Sequence, residues 1–314
     1  MTGIVAHTYP EWWLKLAGQV AHWSTDYSIK GRIFMSKLLR AELSRRLFSV
    51  IYISEIIFLL IYNFLEIAGS RYGFQVDIPY FLFNKTSLIC LCAVVNVSLK
   101  VMQEFDNRTI NNKLFCGYNK SKFYNVEVLV GIIEGLLLFL IDTISVFIIG
   151  IFQKYSFNIS YIDFAVNFMI ICTIISMVIV ISTVLSVLFN HNIFSIFIIV
   201  GLSVLLMYGG NETVHTLNQP KETTLFSTDG EIRDNPLYVD GFERKVLNTH
   251  LFLSPYAQSD YVPYLLDEEA ENKFNNSLLM KNSAYHWEFM LVDISGGLVL
   301  YFIGRYLFEK QNLQ

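Results

Sequence analysis

The chain has 314 residues, of which 54% are hydrophobic and only 16% are charged. Soluble domains carry about 25% charged residues, so this chain lacks the polar surface that a soluble protein of its size needs. The formal net charge is −4, and no basic cluster is interleaved with aromatic residues, which argues against nucleic acid as a partner. The composition and its long apolar runs predict an all-α integral membrane protein in contact with a lipid membrane.

Residues 1–34 form an N-terminal extension without the continuous apolar core or small-residue cleavage site of a secretory signal. Pro10 is a favourable first residue for a helix with one apolar face. Two interpretations stay open: a helix lying in the headgroup layer, and an extension upstream of an alternative start at Met35.

A helix with one basic and one apolar face is predicted after Met35. Leucines alternate there with four cations: Lys37, Arg40, Arg45 and Arg46. Such a helix lies along the inner membrane surface and leads into the first span.

Six apolar runs predict membrane spans at about 50–68, 81–102, 126–150, 162–189, 193–208 and 289–307. The fifth run is shorter than the roughly 20 residues of a simple crossing, so it is predicted to stop early or to continue as a re-entrant piece. The chain therefore divides into the surface helix with spans one to five (35–209), a polar segment (210–288), and span six with a short tail (289–314).

The polar segment 210–288 is either a small folded cap or a flexible tether. Its glycines and prolines interrupt it, and its acidic groups outnumber its basic ones. Its aromatic residues, among them Phe252, Tyr256 and Tyr261, favour a folded piece over disorder.

Orientation follows from the distribution of Lys and Arg, which are enriched on the cytoplasmic side of membrane proteins. The loops assigned to the outside hold Arg71 and Lys154, with Lys85 just within span two. The segments assigned to the inside hold many more cations: Lys37, Arg40, Arg45, Arg46, Lys100, Arg108, Lys113, Lys120 and Lys122. An even number of spans then places both termini in the cytoplasm and the segment 210–288 outside.

The basic loop between spans two and three contains a helical pattern of its own. Ile110, Leu114 and Phe115 recur at helical spacing before Gly117, which predicts a short amphipathic helix with a glycine C-cap. A helix of this kind on the cytoplasmic face is interpreted as a docking element for a soluble partner.

The same loop resembles that of type-2 ATP-binding-cassette (ABC-2) permeases. Glu104, Arg108, Thr109 and Leu114 give the pattern Glu-x-x-x-Arg-Thr-(x)4-Leu, which is similar to the family's Glu-x-x-x-Gly-Thr-(x)4-Leu. The chain departs from the family at Arg108, where glycine is usual, and behind the helix, where a proline is frequent.

The resemblance implies a bacterial exporter subunit in the cell membrane, with an elbow helix, six spans, a cytoplasmic coupling helix and a large loop before span six. It implies a homodimer or a heterodimer with a related permease, bound to a separate ATPase subunit that supplies ATP and Mg. It leaves the substrate open among peptides, lipids, drugs and polysaccharides. The residues implied in coupling to the ATPase are Glu104, Arg108, Thr109, Ile110, Lys113, Leu114 and Phe115.

No motif predicts catalysis, a metal site or a cofactor on this chain. The sequence contains no phosphate-binding loop, no His-Glu-x-x-His zinc pair and no Gly-x-Ser-x-Gly nucleophile turn. The four cysteines are interpreted as small hydrophobic residues. Two further hypotheses need no ATPase: a six-span ligand-binding sensor or immunity-type protein, and an ion-coupled carrier that uses the carboxylates of span three.

Span three contains three carboxylates and a Gly-x-x-x-Gly pair. Gly131 and Gly135 allow another helix to approach closely. Two interpretations stay open for Glu134 on the same span: it borders a translocation path or a subunit interface, or it is a protonated carboxyl group hydrogen-bonded to a neighbouring serine or threonine. Asp142 is predicted to be protonated and bonded to a hydroxyl group of span four. Asp293 is predicted in the first turn of span six, where the helix dipole favours a carboxylate.

Overall fold

A computed structural model of the chain describes residues 29–69, 78–107, 109–116, 118–157, 159–189, 194–223, 233–263 and 287–311, with side chains from Lys37 onward. The predicted helix at Pro10 and the residues Arg71, Arg108 and Gly117 lie outside these residues. The described chain is helical, apart from a pair of two-residue strands.

The elements follow the predicted order. The first half of the chain forms α1 (Ile29–Leu47), α2 (Val50–Gly69), α3 (Ile78–Phe83), α4 (Thr86–Asp106), α5 (Thr109–Phe115) and α6 (Lys120–Gln153). The second half forms α7 (Tyr161–Leu188), α8 (Phe194–Leu217), β1 (Glu222–Thr223), β2 (Arg233–Asp234), α9 (Gly241–Leu253), α10 (Pro255–Tyr261) and α11 (Trp287–Lys310). The strands β1 and β2 pair antiparallel.

Six helical segments in the described part of the chain are long and apolar enough to cross a membrane: α2, α3 with α4, α6, α7, α8 and α11. The prediction of an all-helical, multi-pass membrane protein is confirmed at this level. Within the bundle α4, α6 and α7 pack against one another, while α2 packs on α6, α8 on α4 and α11 on α7. In α8 and in α11 only 22% of the apolar window is buried inside the protein, against 61% in α7. The two outer helices expose apolar side chains such as Phe197 and Phe302.

The close approach predicted at the glycine pair is present between helices of the same chain. A Cβ atom added to Gly135 would lie 2.5 Å from Ile179 Cδ1, and one added to Gly131 would lie 3.0 Å from Ile179 Cγ2. The two glycines therefore admit α7 against α6, which is the packing role expected of this spacing.

We call the end of the bundle that holds α1, α5 and the start of α6 the basal end, and the opposite end, with α9 and α10, the apical end. At the basal end, the side chain of Asn119 accepts a 2.8 Å hydrogen bond from the N–H of Lys122 and caps α6. The helix then runs for 34 residues to Gln153, so it begins six residues before the predicted span.

At the apical end the fifth span is longer than predicted. The helix α8 continues through Gly209 and Gly210 to Leu217, because the second glycine is used for packing and does not end the helix. A Cβ atom at Gly210 would lie 2.8 Å from the backbone N and Cα of Ala257 in α10. Here α8 rises beyond the apolar core to support α9 and α10.

The described part of the polar segment contains the helices α9 and α10. Asp240 and Ser254 cap the N-termini of α9 and α10. The Tyr256 hydroxyl bonds to Ser203 Oγ of α8 at 3.0 Å. The rings of Phe252 and Tyr261 lie 5.7 and 5.9 Å from the ring of Phe289 at the start of α11. Together α9 and α10 form a cap on the apical ends of the spans.

Candidate functional site

Charged residues from four helices meet at the basal end and form a network that the sequence analysis does not predict. We call it the basal charge cluster. Its members are Glu42, Arg45 and Arg46 of α1, Glu104 of α4, Lys113 of α5, and Glu127 and Glu134 of α6.

The first half of the cluster fixes α5. The Lys113 ammonium lies 2.7 Å from Glu104 Oε2 and 2.7 Å from Glu42 Oε1, and its Nζ lies 5.0 Å from the centre of the Phe123 ring. Glu104 is fully buried and also accepts from Arg45. The Thr109 hydroxyl lies 2.7 Å from the same Oε2 atom, so Glu104 connects the first and last turns of α5 to α4.

The second half of the cluster fixes α1. The Arg46 guanidinium is fully buried, donates to Glu127, and lies 3.4 Å from Glu134 Oε2. The two glutamates are seven residues apart and share one face of α6, which lets one guanidinium reach both of them. A buried guanidinium is stable only when carboxylates compensate for its lost hydration.

The pKa values of Lys113 and Arg46, two of the three cations in the cluster, follow from these contacts. Burial alone lowers the pKa of Lys113, but the carboxylates of Glu42 and Glu104 outweigh it and raise the pKa above its ordinary value. The pKa of Arg46 is raised in the same way. Burial lowers it, but the attraction of the two glutamates of α6 outweighs burial. Both side chains therefore stay charged at neutral pH.

The elbow interpretation of α1 is wrong in one respect. Arg46 was assigned to a basic face lying on the membrane surface, but it points into the protein. The apolar face also meets protein, because Leu38 packs on Val126 and Val130 of α6. Of the four predicted cations, Lys37, Arg40 and Arg45 stay exposed and only Arg46 is buried. The ion pairs of Arg45 and Arg46 hold the C-terminal turn of α1 against the bundle.

The helix predicted between the second and third spans is present as α5. The N–H of Tyr118 bonds to the carbonyl of Lys113 at 3.2 Å, just beyond the last turn of α5. This helix turns Ile110 into the core, with 2% of its surface exposed, and leaves Phe115 89% exposed. Leu114 is half-buried against the core.

The predicted docking residues thus divide into two groups. Ile110, Lys113 and Thr109 hold α5 on the bundle, whereas Phe115, with its neighbours Asn112 and Cys116, faces outward. Their role in binding a partner stays a prediction.

A second buried polar group lies within the apical half of α2, α4 and α6, and it corrects the prediction for Asp142. The Asp142 carboxylate accepts from Asn63 Nδ2 at 2.8 Å and lies 4.0 Å from Lys85 Nζ. Lys85 also contacts the Asn63 amide oxygen and lies 3.6 Å from Glu66. The partner is therefore an amide and an ammonium, and not a hydroxyl of span four.

The hydroxyl groups of α7 are occupied locally. Ser182 and Thr183 donate to the carbonyls four residues before them, each at 2.8 Å. Hydroxyl groups in helices make this bond readily, so the pattern of small polar residues in α7 gave a misleading signal. The position of Lys85 just inside the second span was the signal that could have identified the partner of Asp142.

Asp293 also differs from its prediction. The helix α11 is already formed at Trp287, so Asp293 lies in its second turn, beyond the reach of the free N–H groups at the start. Only 2% of its surface is exposed.

No group of three or more His, Cys, Asp or Glu side chains in the described segments is arranged to hold a metal ion. The four cysteines are unpaired, with Cys90 buried and Cys116 exposed. No model of a known protein family matches the chain. A search of curated proteins likewise gives no significant match.

Proposed function

We propose that the chain is the membrane-spanning subunit of an ABC-2 exporter, driven by a separate ATPase subunit that binds ATP and Mg. The proposal rests on one observation: α5 lies between the second and third candidate spans, is ion-paired to two other helices, and carries an exposed Phe115 at its end. A coupling element needs both properties, because it must bind an external partner and transmit force inward.

The basal charge cluster supplies the path for that force. A displacement of α5 moves Lys113, which pulls or pushes on Glu104 in α4 and Glu42 in α1. The helix α1 in turn holds α6 through Arg46 and Glu127. In the proposed cycle, closure of the ATPase dimer displaces α5, and α1, α4 and α6 tilt together.

The proposed orientation places the basal end in the cytoplasm. At this end Lys37 and Arg40 are exposed, and Lys120 and Lys122 are partly exposed. Arg46 and Lys113 are held in ion pairs. Because the positive-inside rule acts on Lys and Arg during insertion, it holds for both groups.

The alternative of a carrier driven by the carboxylates of span three is less well supported. Glu127 and Glu134 share the Arg46 guanidinium, and Asp142 lies beside Lys85. The fixed cationic partners already occupy these carboxylates, so the carboxylates are poor sites for repeated uptake and release of a coupling ion.

The exposed thiol of Cys116 allows a direct test. A thiol-directed photo-cross-linker on Cys116, activated in native membranes, is expected to capture a protein with a phosphate-binding loop and ATPase activity. Phe115→Ala should reduce this capture and the co-purified ATPase activity about tenfold, as loss of a buried aromatic contact typically costs 1–3 kcal/mol in an interface. The matched control is Phe152→Ala, which changes a Phe that is 82% exposed at the end of α6 opposite to α5.

Two results would contradict the proposal. One is capture of the same ATPase from the Phe115→Ala and wild-type proteins in equal amounts. The other is labelling of Cys116 by a membrane-impermeant maleimide added to intact cells, which would place α5 outside the cytoplasm.

A further inference from the structure

The span α2 turns a polar face toward the protein and an apolar face away from it. Side chains such as Ile57 and Phe64 are exposed on the outer face, and only 28% of the apolar window of α2 is buried. Ionisable residues inside a membrane face the bundle interior or a water-filled cavity, and they commonly mark a pathway. The buried face of α2 consists of Tyr52, Glu55, Leu59, Asn63 and Ile67.

This face meets a polar face of α6. The Tyr52 hydroxyl donates to the carbonyl of Glu134 at 3.2 Å. Nearer the apical end, Asn63 Nδ2 donates to Asp142 Oδ1 at 2.8 Å and to the Ser145 hydroxyl. We call this contact the α2–α6 seam, formed by Tyr52, Glu55, Leu59 and Asn63 of α2 and by Glu134, Leu138, Asp142 and Ser145 of α6.

An apolar layer divides the seam into two polar halves. Leu59 lies four residues from both Glu55 and Asn63, and Leu138 lies four residues from both Glu134 and Asp142, which is about 6 Å along each helix. The two leucines are each 1% exposed. The apical half, with Ser145 eight residues before the end of α6 at Gln153, is therefore closed off from the basal half.

The closed seam leaves carboxylate oxygens without donors. Glu55 is 8% exposed and forms none of the ion pairs among the described residues. Water between the helices would supply hydrogens to such groups. Because α2 packs chiefly on α6 and touches α1 and α4 at few positions, little other packing opposes its separation. The oxygens buried without a hydrogen-bond partner are Glu55 Oε2, Glu134 Oε1 and Asp142 Oδ2.

The charge of the seam and its surroundings is negative. Three buried cations lie in this part of the bundle, namely Arg46, Lys85 and Lys100. Five carboxylates face them, which leaves an excess of two negative charges even when each cation keeps its partner. A cleft with low-dielectric walls focuses such a field and attracts cations. The carboxylates are Glu55, Glu66, Glu127, Glu134 and Asp142.

We propose that the α2–α6 seam opens into a hydrated crevice that takes the cationic head of an amphipathic molecule. The head meets the acidic seam, and the apolar part stays in lipid, because α2 alone separates the seam from the lipid on its outer side. The inference names a substrate class for the proposed exporter and rests on that function for the transport step. The crevice itself needs no ATPase.

The test measures how fast charged methanethiosulfonates modify Ser145→Cys in the full chain in nanodiscs. These reagents attack a thiolate, which needs a hydrated surrounding. The matched control is Thr143→Cys, on the same helix, where the residue is 8% exposed and its hydroxyl donates to the carbonyl of Phe139 at 2.8 Å. Modification is read at each cysteine by peptide mass spectrometry, and each rate is divided by that of the exposed Cys116 in the same sample. Ser145→Cys is expected to react at least tenfold faster than Thr143→Cys.

The charge of the reagent tests the acidic character of the crevice. Glu55 lies eight residues, about 12 Å, from Asn63 along α2. At this distance in water, one unit charge favours the trimethylammonium reagent over the sulfonate reagent about threefold at low ionic strength. Two excess charges give a preference of about tenfold at Ser145→Cys. Adding Glu55→Gln should reduce it to about threefold, whereas adding Asp163→Asn, at an exposed position of α7, should leave it unchanged.

The amphipathic ligand is tested by protection. Dodecylammonium below its micelle concentration should slow the reaction of Ser145→Cys with the uncharged methyl methanethiosulfonate at least threefold. Dodecanoate at the same concentration should not slow it.

Three results would overturn the inference: equal rates at Ser145→Cys and Thr143→Cys, equal rates with the two charged reagents, and equal protection by the two amphiphiles. Should Ser145→Cys not fold, Asn63→Cys is judged by the same criteria. An unreactive seam in a protein that still captures an ATPase through Cys116 would remove the crevice and leave the exporter proposal standing.

Discussion

Replacing Lys113 by methionine tests whether the basal charge cluster holds α5 on the bundle. The substitution keeps the length and apolar stem of the side chain and removes the ammonium. The side chain of Lys113 is only 12% exposed, and it shares its charge between Glu104, which is fully buried, and Glu42, which is 7% exposed. The variant therefore leaves two buried carboxylates with one cation fewer.

The size of the effect follows from these contacts. Removing one partner of a buried ion pair costs about 3–5 kcal/mol. Glu104 retains Arg45 and Thr109, and Glu42 retains Arg45, so we expect the free energy of unfolding to fall by about 2–3 kcal/mol. At about 2 °C per kcal/mol for a chain of this size, the unfolding midpoint should fall by about 5 °C.

The assay is thermal unfolding of the purified protein in nanodiscs, with Lys122→Met as the matched control. Lys122 forms none of the side-chain ion pairs within the described segments, so its replacement should change stability by less than about 0.5 kcal/mol. Glu42→Gln should cost less in the Lys113→Met background than in the wild type, with a coupling energy of about 1 kcal/mol. Equal midpoints for the two Lys→Met variants, or strictly additive effects with Glu42→Gln, would refute the anchoring role of Lys113.

Three further predictions use the same assay. Arg46→Met should lower the free energy of unfolding by about 3–5 kcal/mol, because it leaves two buried glutamates of α6 without their cation. A loss below about 1 kcal/mol would contradict the buried pairing. Gly210→Ala should destabilise by about 1–3 kcal/mol, since the new Cβ meets the backbone of α10 at 2.8 Å, whereas Gly209→Ala meets nothing within 4 Å and should be neutral or stabilising. Burial raises the pKa of Asp260 to about 6, although the Ser87 hydrogen bond acts to lower it. Because the folded state then binds the proton more tightly than the unfolded state, the contribution of Asp260 to stability should be largest below about pH 4. It should fall by about 3 kcal/mol in all as the pH rises through 6 to about 7. Asp260→Asn should remove this fall, and an unchanged pH profile in the variant would assign it to another group.

Local patterns in the sequence predicted the membrane-spanning helices, although α6 and α8 extend beyond the predicted bounds. Apolar runs of about 20 residues predicted the spans, since a helix must satisfy its own backbone hydrogen bonds in lipid. The spacing of Ile110, Leu114 and Phe115 predicted α5, and the Gly131–Gly135 spacing predicted close packing. These signals need only residues a few positions apart, so they can be read from the chain itself.

The pairing of charges was decided only by the tertiary structure. Arg46 and Glu127 are 81 residues apart in the sequence, and Lys85 meets Asp142 from the turn between α3 and α4. Helical periodicity gives the residues that share a face of one helix, but not the neighbour that this face meets. For that reason Arg46 looked like a surface cation and Lys113 like a docking residue, whereas the packing of α1, α4, α5 and α6 turns both toward buried carboxylates.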